Sequence, residues 1–292
     1  MPILPSAYFG SWYVVTMDNA PRLLTSFNET FNNPTSNNKM IQGDIGNHII
    51  SVDPGHYQVT INSPILLIEP IGAFSDVFDI VLENLNRIQH PVDISNVTDY
   101  NYVLQSASLN LTTESSNVTA TLESWKTFND AQNFKTYNPN IDFTARQVKF
   151  YDIQIGIFGS NYIINQANLQ ISIQSDKHFY VPGSNNFYGN QVPIYSINGY
   201  TVSGDVTVLV DPDQYETLKL YNAQSPGVFN ALQNSLFFKI LNRVDGNIND
   251  KTLNLGDFMF MPSVELSISA NQIITARINF VTMFRRTSSI TY

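Results

Sequence analysis

Two stretches of this chain alternate apolar and polar residues in the same way, and that alternation constrains the fold more than any other feature. In MPSVELSISANQIITARINF, residues 261–280, Val264, Leu266 and Ile268 alternate with Glu265, Ser267 and Ser269. Ile274, Ala276, Ile278 and Phe280 then alternate with Thr275, Arg277 and Asn279. A period of two puts successive side chains on opposite sides of a strand, so the segment reads as a β-hairpin with one buried face. About 157 residues earlier, LQSASLNLTTESSNVTATLES has the same build, which calls for a search for internal repeats. There Ala107, Leu109 and Leu111 face inward, residues 113–117 form a polar turn, and Val118, Ala120 and Leu122 face inward again.

Other landmarks recur in the same order. FGSWY at residues 9–13 matches FGSNY at 158–162, and YQVTINSPILLIEP at 57–70 matches YTVSGDVTVLVDP at 200–212. Both of the latter are apolar strands closed by an acid-proline pair. A helical segment follows each. In residues 75–88, Ser75 stands at an N-cap position, and Val77, Val81, Leu85 and Ile88 share one face. In residues 225–244, Phe229, Leu232, Leu236 and Ile240 share one face. Four landmarks in one order predict a duplicated chain of two domains, 1–125 and 147–292, joined by a linker at 126–146 that lacks either periodicity.

Each half also carries a long segment rich in Asn and Ser near its start, residues 25–44 and 174–193, which reads as a loop. Loops of this length inside a domain are usually functional. Their aromatics, Phe27 and Phe31, then Phe179, Tyr180, Phe187 and Tyr188, are candidate anchors for another subunit.

Composition excludes several classes of function. Hydrophobic residues make up 43% and charged residues 13%, which rules out wholesale disorder and a coiled coil. A formal net charge of -9 leaves no basic footprint for tight DNA binding. With no cysteine, neither a disulfide framework nor a thiolate metal site is possible. The start shows no signal-peptide pattern, and no segment has the uninterrupted apolar length of a membrane helix. The Asn-x-Thr sites at Asn28, Asn96, Asn110 and Asn117 follow from an Asn- and Thr-rich composition.

No catalytic, cofactor or metal site is expected. There is no Gly-rich phosphate loop, no Gly-x-Ser-x-Gly elbow and no His-Glu-x-x-His pair. His48, His56, His90 and His178 are scattered singly. Asp245, Asn247 and Asn249 have the spacing that opens a calcium loop, but the glycine and glutamate that complete it are missing, so a turn-rich loop is expected. Asp211 and Asp213 flank Pro212 as a turn and N-cap would require.

The duplicated build, with its closing SVELSISANQIITARINF hairpin, one helix and a long early loop per half, resembles the tail tube proteins of long-tailed bacteriophages. Type VI secretion tubes and phage hub and distal tail proteins share that fold. The resemblance implies a mainly β chain of two tandem tail-tube-like sandwich or barrel domains, each with one α-helix. It implies a non-enzymatic structural protein of the virion that assembles with itself. Three duplicated copies would form a pseudo-hexameric ring, and stacked rings would form a channel through which DNA passes without specific binding. Implied partners are further copies and other tail proteins, such as the tape measure, terminator, baseplate or sheath, with no membrane partner. An acidic lumen would let DNA slide. A baseplate hub or distal tail protein is the alternative within this machinery. A carbohydrate-binding β-sandwich is the alternative outside it, with Trp12 and Trp125 as the only tryptophans for a sugar platform.

Overall fold

The computed structural model describes residues 13–17, 20–32, 36–40, 48–52, 56–69, 76–89, 102–124, 134–136, 144–157, 159–180, 192–224, 229–230, 236–241, 250–256, 258–268, 270 and 273–285. Strands β1 (Tyr13–Met17), β2 (Ala20–Arg22), β3 (Ser26–Asn32), β4 (Ser36–Met40), β5 (His48–Val52), β6 (His56–Pro64) and β7 (Leu66–Glu69) precede helix α1 (Val77–Gln89). Then come β8 (Val103–Leu111), β9 (Ser116–Ser124), β10 (Phe134–Thr136), β11 (Thr144–Gln147), a 3-10 turn at Phe150–Asp152, β12 (Ile153–Ile157), β13 (Ser160–Tyr180) and β14 (Val192–Leu209). Helix α2 (Pro212–Gln224) leads to β15 (Phe229–Asn230), β16 (Phe237–Ile240), β17 (Lys251–Asn254), β18 (Phe258–Ser267) and β19 (Thr275–Arg285).

The fold is mainly β. One antiparallel sheet runs β15-β18-β19-β14-β13-β8-β9-β6-β3, so strands from both parts of the chain lie side by side. They meet where β13 pairs with β8, Ala167 opposite Leu111, Leu169 opposite Leu109 and Ile171 opposite Ala107. All six of those side chains are buried. The next residues along each strand, Asn168 and Gln170 on β13 and Ser108 and Asn110 on β8, point to the opposite, open side, as the period of two requires.

β13 also belongs to a branch. Its first residues pair with β12, which pairs with β16, which pairs with β17. A register shift between Ile164 and Gln166 marks where β13 leaves the branch and joins the main sheet, the use to which bulges are commonly put. Ile153, Ile155, Phe238, Ile240 and Leu253 bring the branch into the same buried cluster as the main sheet. Helix α1 lies over β6, β8 and β9 and reaches β14 and β17. Its Phe78 meets Phe238 edge to face, with centroids 6.3 Å apart. Gly204 in β14 has a φ of +155°, and a Cβ there would run into the carbonyl oxygen of Asn168, so only glycine fits this crossing.

Helix α1 follows the expected pattern, with Val77, Val81, Leu85 and Ile88 all buried. The cap differs: Ser75 lies outside the described residues, and Asp76 Oδ1 accepts the Asp79 N–H at 3.1 Å. The hairpin β8–β9 also matches, and Ile278 and Phe280 of β19 are buried as expected. In β18, however, Val264 and Leu266 are only half-buried, and Ile268, just beyond it, is 66% exposed.

Among the described residues of 225–244 the expected helix does not form. Residues 229–230 and 237–240 are strands, and the helix of this region is α2 at Pro212–Gln224. Phe238 and Ile240 are buried while Phe237 and Lys239 are half-buried, so cross-strand pairing with β12 and β17 selected the period of two. Helix α2 begins where a capping box forms: Asp211 Oδ1 accepts the Gln214 N–H at 2.7 Å, Gln214 Oε1 accepts the Asp211 N–H at 3.1 Å, and Pro212 takes the first position.

The described residues of the two segments read as long loops are mostly strand, with residues 181–191 outside the described residues. β3 and β4 occupy much of 25–44, while β13 runs out to Tyr180 and β14 starts at Val192. Partner strands supply the backbone hydrogen bonds that the polar composition of these segments does not advertise. The expected linker 126–146 likewise contains β10, which pairs with β1, and most of β11, which pairs with β7.

Candidate functional site

Among the described residues, no three His, Asp or Glu side chains come together as a metal site. His56 begins β6 with Nε2 3.1 Å from Asn32 Nδ2 and 3.8 Å from Glu123 Oε1. His48 and His178 lie in β5 and β13, and His90 is outside the described residues, as are Trp12, Trp125, Asp245, Asn247 and Asn249. The end of the expected turn-rich loop is strand: Asp250 holds Lys239 at 2.7 Å and β17 follows. Asp211 caps α2, and Asp213 is exposed in its first turn. A groove of about 290 Å³ between α1 and β17 offers one carboxylate, Glu83, which Arg22 already engages at 3.3 Å. No helix among the described residues is long and apolar enough to cross a membrane.

One buried charged cluster ties α1 to the C-terminal half. Lys251 Nζ, on β17, lies 2.9 Å from Asp79 Oδ1 and 3.3 Å from Asp76 Oδ2. The Asp76 side chain is fully buried and also accepts the Leu66 N–H at 2.7 Å. Burial pushes the Asp76 pKa above the ordinary carboxylate value, against the pull of Lys251 and the backbone donors. Burial opposes the charge of Lys251, but the two carboxylates outweigh it and raise its pKa above the usual lysine value. Because every partner sits within the fold and the Asp76 oxygens hold backbone N–H groups, the cluster is a structural clasp.

The distinctive surface is the sheet itself, at its open face and its outer strands. The open face carries Ser106, Ser108, Asn168, Gln170, Ser203 and Thr207 among other hydroxyls and amides, and its described charges are few. Arg277 lies 3.4 Å from Asp205 and directly opposite Glu265. Asp176 accepts an Asn198 N–H farther along β13.

Among the described residues β3 pairs only with β6, so its other side meets no strand. At the far end β18 pairs with β19, and with β15 only at Phe258 and Met259. The candidate anchors Phe27 and Phe31 both sit on β3. Phe27 is half-buried against the core, whereas Phe31 is 48% exposed with its ring 4.9 Å from Tyr57. Phe179 and Tyr180 are strand residues of β13, paired with Pro193 and Val192, and Phe187 and Tyr188 lie outside the described residues. The structure thus brings two of the six together. It adds Val264, Leu266 and Ile268 at the opposite end of the sheet, which periodicity marked as core and which only strand order reveals as an edge.

Comparison with protein-family models and with curated proteins finds no match to this chain.

Proposed function

We propose that this chain is a structural subunit that assembles edge to edge with copies of itself into a ring, and that the rings stack into a tube like those of long-tailed phage tails, which conducts DNA out of the particle. The observation that carries this reading is a long antiparallel sheet with exposed apolar side chains at both ends, Phe31 on β3 and Ile268 just beyond β18, which β15 covers only at Phe258 and Met259. Such edges invite pairing with another chain, and closing a ring removes them. The sparsely charged open face supports the second half of the reading. A lumen lined by amides and hydroxyls, whose one described cation is held by Asp205, gives DNA phosphates little to bind. On this reading one chain supplies two staves, three chains close a ring, and the other partners are tail proteins at the ends of the tube.

Electron microscopy of the purified protein over a range of concentrations tests the proposal. Stacked hollow tubes are expected. Single rings that never stack would redirect the reading to a hub or distal tail protein, and a dispersed monomer at every concentration would overturn it.

A further inference from the structure

We propose that the β13–β8 contact inside the chain is the template for the contact between chains: β3 of one copy pairs antiparallel with β18 of the next, placing Phe27 opposite Ile268, Glu29 opposite Leu266 and Phe31 opposite Val264. This rests on the self-assembly reading above and gives it a register.

The argument begins with strand order. From one end the sheet runs β3-β6-β9-β8 and continues β13-β14-β19-β18. In each run the first two strands of the chain pair, and a closing hairpin adds to the second of them by its later strand. β13 therefore stands in the place of β3, and β18 in the place of β8. A four-strand unit that has already joined its like once, through β13 and β8, leaves the same two kinds of edge at its ends.

Two backbone hydrogen bonds set the alignment. Ile65 N–H donates to the Ser116 carbonyl at 3.0 Å, and Val210 N–H to the Ile274 carbonyl at 3.2 Å, each linking the end of the second strand to the start of the last. Counting back from these anchors, Ile61 lies opposite Ala120 and Phe27, and Val206 lies opposite Ile278 and Ala167. Phe27, Glu29 and Phe31 thus occupy the places of Ala167, Leu169 and Ile171. Ala107 lies opposite Ala120, and Val264 opposite Ile278, so Val264, Leu266 and Ile268 occupy the places of Ala107, Leu109 and Leu111.

Exposure agrees with the alignment. The six residues of the internal joint are buried, while their counterparts at the ends are half-buried or exposed. The β15 contact at Phe258 and Met259 lies outside the stretch of β18 that the joint needs. Glu29 is the one departure, an acid where the internal joint has Leu169. Because the two edges differ, the contact is head-to-tail, and such contacts close into rings or run on as filaments.

Cysteine cross-linking tests the register cleanly because the chain has no cysteine of its own. Thr30→Cys with Glu265→Cys places the pair at positions matching Gln170 and Ser108, which are partners in the internal joint. Under mild oxidation this variant is expected to give about tenfold more disulfide-linked dimers and larger species than the off-register pair Asn28→Cys with Ser263→Cys, since a disulfide needs Cα atoms within about 7 Å. Ser108→Cys with Gln170→Cys reports the internal joint as an intrachain bond. If microscopy shows rings but the two interchain pairs cross-link equally, or Thr30→Cys alone forms dimers as well, the register is overturned and the ring reading stands. If nothing assembles, both fall together.

Discussion

Lys251→Met removes the only cation of the buried clasp. At separations of 3.3 and 2.9 Å, and with an effective dielectric near 20, the two carboxylates each attract the ammonium by about 5–6 kcal/mol before the cost of dehydration. Removing one partner of a buried pair strands the other, and the expected loss of stability at pH 7 is about 3–5 kcal/mol. The loss should depend on pH. The Asp76 pKa is already raised by burial and rises further without Lys251, so the variant's deficit is largest at neutral pH and shrinks as acid protonates the stranded carboxyl. The wild type behaves oppositely in base. The raised Lys251 pKa means that its stabilisation is complete below the ordinary lysine value and is lost as pH rises through the folded value, a loss the variant does not show. Urea denaturation across pH measures both effects. Asp76→Asn combined with Lys251→Met removes the buried stranded charge and keeps the helix cap through its one amide oxygen, but it gives up the acceptor of the Leu66 N–H, so only part of the stability should return. A cost below about 1 kcal/mol that is flat with pH would refute the clasp.

Three further outcomes are expected. Gly204→Ala should destabilise the fold by about 1–3 kcal/mol in thermal or urea denaturation, because its positive φ and the Asn168 carbonyl both exclude a Cβ. Ile268→Asp should leave the unfolding midpoint of the isolated chain almost unchanged but raise the concentration needed for assembly, read by sedimentation, by about tenfold or more, as lost burial of a large apolar side chain implies. Glu29→Leu restores the residue type of the internal joint, and it should lower that concentration without altering the fold.

The features legible in the sequence are those whose causes are local. The β8–β9 hairpin could be read because alternating residues and a short polar turn bring near neighbours together. Helix α1 could be read from the spacing of Val77, Val81, Leu85 and Ile88, although the cap fell to Asp76 rather than Ser75. The capping box of α2 was equally local, in Asp211, Pro212 and Gln214, whereas the apolar spacing from Phe229 to Ile240 placed the helix too late in the chain. That spacing fits a helix on paper, and distant partners, β12 and β17, hold its Phe237–Ile240 end as a strand.

The candidate site divides the same way. The sequence by itself marked Phe27 and Phe31 as unusual and determined that Val264, Leu266 and Ile268 share one face. Only the tertiary structure decided that β3 ends the sheet on one side, that β18 lies at the other with only the short β15 beyond it, and that Lys251 meets Asp76 across 175 positions of chain. A strand's own residues specify its two faces through the alternation of side chains. They carry no record of which strand lies on either side, because that depends on backbone hydrogen bonds to partners elsewhere in the chain.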